Sequence, residues 1–311
     1  MPISPLTGAR VLTAWRPDVT VIIGLALLAT AYLAGVATLH RRGEEWPVRR
    51  TVLFLGAGLG SVALVTMSFL GVYDRTLFWP AAAENAVLLT LTPLLLALGE
   101  PIRLLTRCLP LRRGRIVDVL AFPLVSAVLC LAVTMALYLT PMFRASLTHG
   151  GVHQSVRLLL VACGCLFCWP MLDEGLLPVW CGYSLRMAFA FVDGLLDAIP
   201  GIVVMTGHHL VAGDYYAGLH RAWGPSPRWD QTIGGGLMLT FAEAIAVPFA
   251  VALFFRWARA DEAGARAVDR RIEATTADAA LQKPLEQPWW ERDPGPLADR
   301  FPNRRRDESG S

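Results

Sequence analysis

Charged residues are scarce in this chain. They make up 17% of its 311 residues, against roughly 25% in a typical soluble domain. Lysine is almost missing, since Lys283 is the only one and every other basic side chain is arginine. The formal net charge is only +3 and sits in loops, so nucleic acid is not indicated as a partner. Hydrophobic residues make up 54% and the mean hydropathy is +0.47, which indicates an integral membrane protein.

Three other features are missing. The six cysteines lack the spacing of a secreted disulfide framework, so free thiols are expected at Cys108, Cys130, Cys163, Cys165, Cys168 and Cys181. The N-terminus has no basic segment followed by a short apolar run and a cleavage site, so no cleaved signal peptide is expected. A nucleotide-binding loop, a nucleophile motif and zinc-hydrolase spacing are also missing, which disfavours an enzyme.

Seven apolar runs are long enough to cross a bilayer of ~30 Å at ~1.5 Å per residue. They predict an all-α membrane protein, a bundle of seven transmembrane helices in a domain over residues 1–257. The predicted spans are Thr20–Leu39, Thr51–Val72, Leu77–Leu98, Ile116–Leu139, Val152–Leu172, Leu185–Gly207 and Ile233–Trp257.

Arginine placement predicts the orientation, because cytoplasmic loops are enriched in basic residues. The arginine-rich segments contain Arg41, Arg42, Arg49 and Arg50; Arg103, Arg107, Arg112, Arg113 and Arg115; and Arg256, Arg259, Arg266, Arg270 and Arg271. The alternate loops contain only Arg75, then Arg144, then Arg221 and Arg228. This pattern places the N-terminus outside and the C-terminus in the cytoplasm of a bacterial cell, with the protein multi-pass in the inner membrane.

Residues 258–311 form a charged, proline-rich tail. We expect a helix to about Ala280 and a disordered segment beyond it, because that segment has too little apolar content for a core. Trp289 and Trp290 are either part of a solvated tail or contacts to the membrane surface or a partner.

Histidine and methionine are concentrated toward the predicted outer face. Imidazole and thioether ligands together suit copper, and methionine favours Cu(I). The sharpest element is the His208-His209 pair, which follows a helix end on irregular backbone, where both rings are free to reach one ion. The candidate copper ligands are His153, His208 and His209, with Met205, Met142 and His149 as helpers. The alternative for each histidine is an ordinary loop residue.

The cysteines of the fifth span are a separate question. His153 and Cys165 are twelve residues apart, or roughly 18 Å along a helix, so one ion cannot bind both. Cys165 and Cys168 share a helix face, whereas Cys163 and Cys165 do not. These thiols either form a second, deeper site or serve as small packing residues.

Ionisable residues inside spans are costly and are functional candidates. The chain has five of them, Glu84, Arg157, Asp193, Asp197 and Glu243. Asp193 and Asp197 are four residues apart and share one face. One interpretation is a proton or metal path; the other is a structural tie in which Arg157 pairs with Glu84 or Asp197.

Four segments give the chain a family likeness. They are LLTLTPLLLALGEPIRLL (88–105), GVHQSVRLLLVACGCLFCWPML (151–172), the Tyr215-Tyr216 region leading into WDQTIGGGLM (229–238), and FFRWARADE (254–262). With these motifs the chain resembles the CtaG-type cytochrome c oxidase assembly factors, seven-span bacterial membrane proteins. The resemblance implies a role in building a heme-copper oxidase, handling or inserting copper at the outer face, and His153 falls on a family-typical histidine.

The chain also departs from that pattern. The family commonly carries histidines near the start of the third span, where this sequence has Ala81, Glu84 and Asn85. It commonly carries a second histidine one turn after the first in the fifth span, where this sequence has Arg157.

The leading hypothesis is an assembly factor that binds Cu(I) transiently and passes it to an oxidase subunit by ligand exchange. Its partners would be cytochrome c oxidase subunits or other respiratory-complex proteins, within the lipid bilayer. One alternative is a proton- or ion-coupled transporter, which requires the acids to line one continuous path. Another is a stable, metal-free accessory subunit of a respiratory complex, which would co-purify in fixed stoichiometry. The sequence does not identify the target subunit or the oligomeric state.

Overall fold

The computed structural model describes residues 5–109, 114, 119–172, 177 and 181–282. Over these residues all regular secondary structure is helical and no strand occurs, so the all-α prediction is confirmed. In chain order the helices are α1 (Gly8–Thr13), α2 (Val19–Arg41), α3 (Val48–Val52), a π-helical segment (Leu53–Leu59), α4 (Gly60–Met67), α5 (Phe69–Tyr73), α6 (Phe78–Leu89), α7 (Leu91–Ala97), α8 (Pro101–Cys108), α9 (Pro123–Leu139), α10 (Met142–Thr148), α11 (Gly150–Leu172), α12 (Tyr183–Thr206), α13 (Gly213–Gly218) and α14 (Pro227–Gln282).

Six segments of the described chain are long and apolar enough to cross a membrane. They are Val19–Arg41, Val48–Tyr73, Phe78–Ala97, Gly150–Leu172, Ser184–Thr206 and Pro227–Thr275. The helix pair α9 and α10 makes a seventh span if it is counted as one, although it bends by 68°. Proline explains both limits of α9: Pro123 stands in its first turn, where a missing N–H costs nothing, and Pro141 follows its end.

The centre of the bundle is formed by the third and fifth spans. In their most apolar windows 72% and 61% of residues are buried, against 6% in Val19–Arg41 and 17% in Ser184–Thr206. Helix α11 packs against α6, α7, α9 and α10. The polar side chains of α6 and α11 are therefore held inside the bundle.

The third span is broken at Thr90, between α6 and α7, and α11 crosses at that break. An added Cβ on Gly164 would lie 1.9 Å from the carbonyl oxygen of Leu89 and 2.5 Å from Pro93. Only glycine permits this approach of the two backbones.

The chain divides into two compact units, Met1–Trp257 and Ala258–Ser311. In the second unit the described residues, up to Gln282, are helical and carry an exposed Glu262–Arg266 ion pair of 3.1 Å. The predicted disordered segment from 283 onward and Trp289-Trp290 lie outside the described residues. The membrane orientation of the termini stays a prediction.

Candidate functional site

Arg157 of α11 lies at the centre of a buried charged group, which we call the Arg157 cluster. Its Nε donates to Glu84 Oε1 at 2.5 Å. Its Nη1 lies 3.4 Å from Asp18 Oδ2, and its Nη2 lies 3.7 Å from Asp74 Oδ2. The three carboxylates come from α6, from the residue that caps the N-terminus of α2 and from the turn after α5. One arginine thus joins four chain segments.

His153 belongs to the same group, because residues four apart share a helix face. Its Nε2 lies 3.1 Å from Asp74 Oδ2. The next residue, Gln154, donates from Nε2 to Asp18 Oδ2 at 2.6 Å. The histidine that the sequence singled out is therefore tied to a carboxylate in the bundle rather than left in a loop.

The Arg157 cluster contains more acidic than basic side chains. Three carboxylates face one guanidinium, so the group carries surplus negative charge if all three acids are ionised. Asp74 and Glu84 are each 1% exposed, and neither oxygen of Asp74 nor Oε2 of Glu84 has a hydrogen-bond partner. The contacts of Asp74 to His153 and Arg157 are close ion contacts without hydrogen-bond geometry. Such buried and unsatisfied carboxylate oxygens are costly and point to function.

Asp18 stands at the rim of the cluster, just before the first span. Burial raises its pKa, but hydrogen bonds outweigh this and the net pKa is lowered. The backbone N–H groups of Val21 and Thr20 and the amide of Gln154 donate to it, and the positive charge of Arg157 adds to the effect. The carboxylate form of Asp18 is therefore favoured by folding.

The Glu84–Arg157 pair confirms the structural tie that the sequence offered as one interpretation. The neighbouring Asn85 donates from Nδ2 to the hydroxyl of Tyr138 at 3.1 Å. Glu84, Asn85 and Arg157 are thus held in polar contacts between α6, α9 and α11.

Asp230 and Gln231 have roles that the sequence did not reveal. Asp230, at the start of α14, accepts hydrogen bonds from the backbone N–H groups of Phe78 and Trp79 at 3.1 and 3.0 Å. It thereby caps α6 from more than 150 positions away. Its Oδ2 also lies 3.4 Å from Arg221. A capping motif read along the chain detects only local partners, so the capping of α6 by Asp230 could not be predicted from the sequence.

Gln231 fixes the loop that carries the paired histidines. Its Oε1 accepts from the N–H of Val211 at 2.8 Å, and its Nε2 donates to the carbonyls of Val204 and His209 at 2.9 and 3.1 Å. Arg228 donates to the carbonyl of Gly207. The backbone of the loop is therefore anchored to α14, while the side chains of His208 and His209 are exposed.

The other predicted copper ligands lie in varied surroundings. His149 is exposed, and its Nδ1 is 2.8 Å from the hydroxyl of Thr148. Met142 is half-buried against the core, and Met205 is half-buried where α12 and α14 cross near Gly235. Within the described part of the chain, no group of three or more His, Cys, Asp or Glu side chains is arranged to hold a metal ion. The copper site stays a prediction.

The remaining intramembrane acids lie away from the Arg157 cluster. Asp193 and Asp197 line a cavity of about 40 Å³ together with Cys130 and Cys168. Glu243 is exposed on the surface of α14.

All six cysteines are free thiols, as predicted. Cys165 and Cys168, which share a helix face, pack in two different core clusters. Cys130 of α9 and Cys163 of α11 are also buried.

Comparisons with known proteins identify a family with a similar sequence. The model of the family described as "Cytochrome c oxidase caa3 assembly factor (Caa3_CtaG)" matches residues 30–260. Uncharacterized proteins of Mycobacterium bovis and Mycobacterium tuberculosis are each 32% identical over 296 residues, and one of Mycobacterium leprae is 29% identical over 295 residues. In each case the match covers 89% of this chain but only 44% of the relative, so the chain spans less than half the length of these relatives. No solved structure matches the chain.

The matched region runs from within the first span into α14 and includes the histidine loop and every residue of the Arg157 cluster except Asp18. Together with the apolar helices it describes a bacterial multi-pass membrane protein. The chain belongs to the cytochrome c oxidase caa3 assembly factor family.

Proposed function

We propose that this protein assists assembly of a caa3-type cytochrome c oxidase by holding Cu(I) at the outer face and passing it to an oxidase subunit. The observation that carries the proposal is the family match over residues 30–260. An assembly role accords with a non-enzymatic protein. The finer statement, that copper is the cargo, rests on the histidine loop and its surroundings.

The His208-His209 loop has the properties of a transfer site. Its side chains are exposed and its backbone is held by Gln231 and Arg228, so the two imidazoles are accessible while their position is restrained. Two imidazoles, with at most one thioether, would leave a Cu(I) ion incompletely coordinated. This suits a copper chaperone, because transfer of the ion by ligand exchange passes through partly coordinated states. His153 is a weaker candidate, since Asp74 lies against its Nε2.

The copper proposal is tested by anaerobic loading of the full-length protein with Cu(I), followed by desalting and metal analysis. We expect the wild-type protein to bind about one more copper ion per chain than the His208→Ala/His209→Ala variant. His40→Ala is the matched control, because His40 is also exposed and lies in the last turn of a span, α2. Equal copper content in all three proteins would contradict binding at the loop.

The transporter alternative is less well supported. It requires one path lined by the acids, whereas Glu84 pairs with Arg157, Asp193 and Asp197 line a separate cavity and Glu243 is exposed. The accessory-subunit alternative is distinguished by purification. Fixed stoichiometry with a mature oxidase would favour it, and transient association limited to assembly intermediates would favour the assembly factor.

A further inference from the structure

Six arginines gather where the first span ends and the second begins. Arg41 is the last residue of α2, Arg49 and Arg50 stand in the first turn of the span Val48–Tyr73, and the short helix α8 packs against α2. We call this group the arginine platform, and its members are Arg41, Arg42, Arg49, Arg50, Arg103 and Arg107. The acids in the same stretches of the chain are Glu44, Glu45 and Glu100. The platform therefore carries surplus positive charge even when all three acids are ionised.

Polar contacts hold part of the platform in place. Glu100 lies 2.9 Å from Nη2 of Arg50 and 3.1 Å from Nη1 of Arg103. The backbone of Glu100 is in the left-handed region, with φ of 48°, which is uncommon and costly for a residue other than glycine. Arg42 donates to the carbonyls of the last two residues of α8 at 3.1 and 3.3 Å. These contacts fix α8 against the end of α2 and the start of the second span.

Three arginines of the platform are left for an outside partner. Arg41 and Arg49 are exposed, and neither makes an ion pair or a side-chain hydrogen bond within the described part of the chain. Arg107 has only Glu44, at 3.6 Å, and both side chains of that pair are exposed, so water and salt screen it. The fold thus presents three guanidinium groups with little internal neutralisation. The planar fork of a guanidinium matches the oxygen atoms of a phosphate group.

The platform stands at the level of the lipid headgroups. A span ends where the hydrocarbon of the bilayer ends, and Arg41 and Arg49 stand at the ends of two consecutive spans. The neighbouring segments expose apolar side chains, namely Val48, Val52, Leu105 and Leu109. A ligand at this place meets both guanidinium groups and the apolar edge of the membrane, and a phospholipid has a group for each.

We propose that the arginine platform binds anionic phospholipid, with Arg41, Arg49 and Arg107 as the side chains that hold the headgroup. Basic side chains next to the membrane attract anionic lipids, and each contributes about fivefold to the binding constant. A zwitterionic lipid offers the same phosphate but brings its own cation, so the surplus charge of the platform favours an anionic headgroup. The proposal goes beyond the copper function and does not depend on it, since the platform shares no residue with the histidine loop.

The test measures binding of phosphatidylglycerol to the full-length protein in a neutral detergent, by native mass spectrometry over a lipid titration. The platform variant is Arg41→Gln/Arg49→Gln/Arg107→Gln. The matched control removes the same charge from exposed positions of α14 in the second compact unit, as Arg259→Gln/Arg266→Gln/Arg270→Gln. We expect the wild type to bind phosphatidylglycerol more tightly than phosphatidylcholine, the platform variant to bind it roughly 100-fold more weakly, and the control to bind it like the wild type. Equal affinity of the wild type for the two lipids, or of the two variants for phosphatidylglycerol, would overturn the proposal.

The variant Arg41→Lys/Arg49→Lys/Arg107→Lys separates loss of charge from loss of structure. It keeps the three positive charges and should retain most of the affinity that the glutamine variant loses. Equal loss in both variants would contradict headgroup binding by charge.

Two measurements on the wild type need no variant. Binding of phosphatidylglycerol should weaken as sodium chloride is added, because exposed charges are screened by salt, and binding that is insensitive to salt would overturn the site. Inorganic phosphate at matched ionic strength should displace no more lipid than sodium chloride does. Greater displacement by phosphate would assign the platform to a free anion and contradict a lipid site.

Discussion

Removal of the positive charge from the Arg157 cluster is the substitution with the largest expected effect. In Arg157→Met the side chain keeps much of its length but leaves Glu84 and Asp74, both 1% exposed, without their cation. A charge pair at about 4 Å is worth about 4 kcal/mol at an effective dielectric constant of 20, and breaking a buried ion pair costs about 3–5 kcal/mol. Loss of the contact between Arg157 and Asp18 adds little to this cost, because Asp18 is more exposed and keeps its own hydrogen bonds from backbone N–H groups.

We therefore expect Arg157→Met to lose about 3–5 kcal/mol of unfolding free energy, or roughly 10 °C in Tm. Glu84→Gln should cost less, because Arg157 keeps Asp74 and Asp18. Thermal unfolding of the detergent-solubilised proteins, followed by tryptophan fluorescence, measures both. Arg144→Ala, an exposed arginine of α10, is the control and should melt like the wild type. If Arg157→Met melts with the control, the cluster contributes no net stability and the reasoning fails.

Three further predictions follow from individual contacts. Asp230→Ala should lose about 2 kcal/mol, since it uncaps α6, and Asp230→Asn should lose less; equal Tm values for both and the wild type would contradict the capping role. Gly164→Ala should cost at least about 1–3 kcal/mol, because its Cβ would meet a backbone oxygen, whereas Gly236→Ala has open space and serves as its control in the same melting assay. Folding lowers the pKa of Asp18, so its carboxylate stabilises the fold above the unfolded pKa of 3.8, and this stabilisation is lost as the pH falls through the lower folded pKa. The difference in unfolding free energy between the wild type and Asp18→Asn should therefore close in acid. A difference that widens in acid would contradict the assignment.

The sequence predicts the helices well and the contacts between them poorly. Spans are encoded locally, by apolar length, so α2, α11 and α12 lie where hydropathy places them. The fourth span was the exception, because the helix starts at Pro123 and the bend before α10 is set by proline chemistry rather than by hydropathy. Residues 116–118 of that predicted span lie outside the described residues.

The site was predictable only in its parts. Spacing on one helix puts His153 and Arg157 on the same face. Burial of a lone arginine requires an acid, for which the sequence offered Glu84 or Asp197, and the structure pairs it with Glu84. Asp18 and Asp74 were missed as partners because both stand outside the apolar runs and reach Arg157 through the packing of separate spans.

The most direct test is the copper content of a caa3-type oxidase purified from cells that lack this protein. Such cells are then made to express either the wild-type protein or its His208→Ala/His209→Ala variant, and the oxidases from the two are compared. The account predicts that the oxidase made without the protein, or with the variant, retains its heme but contains less copper per heme than the oxidase made with the wild-type protein. A fully metallated oxidase from cells lacking the protein would contradict the account.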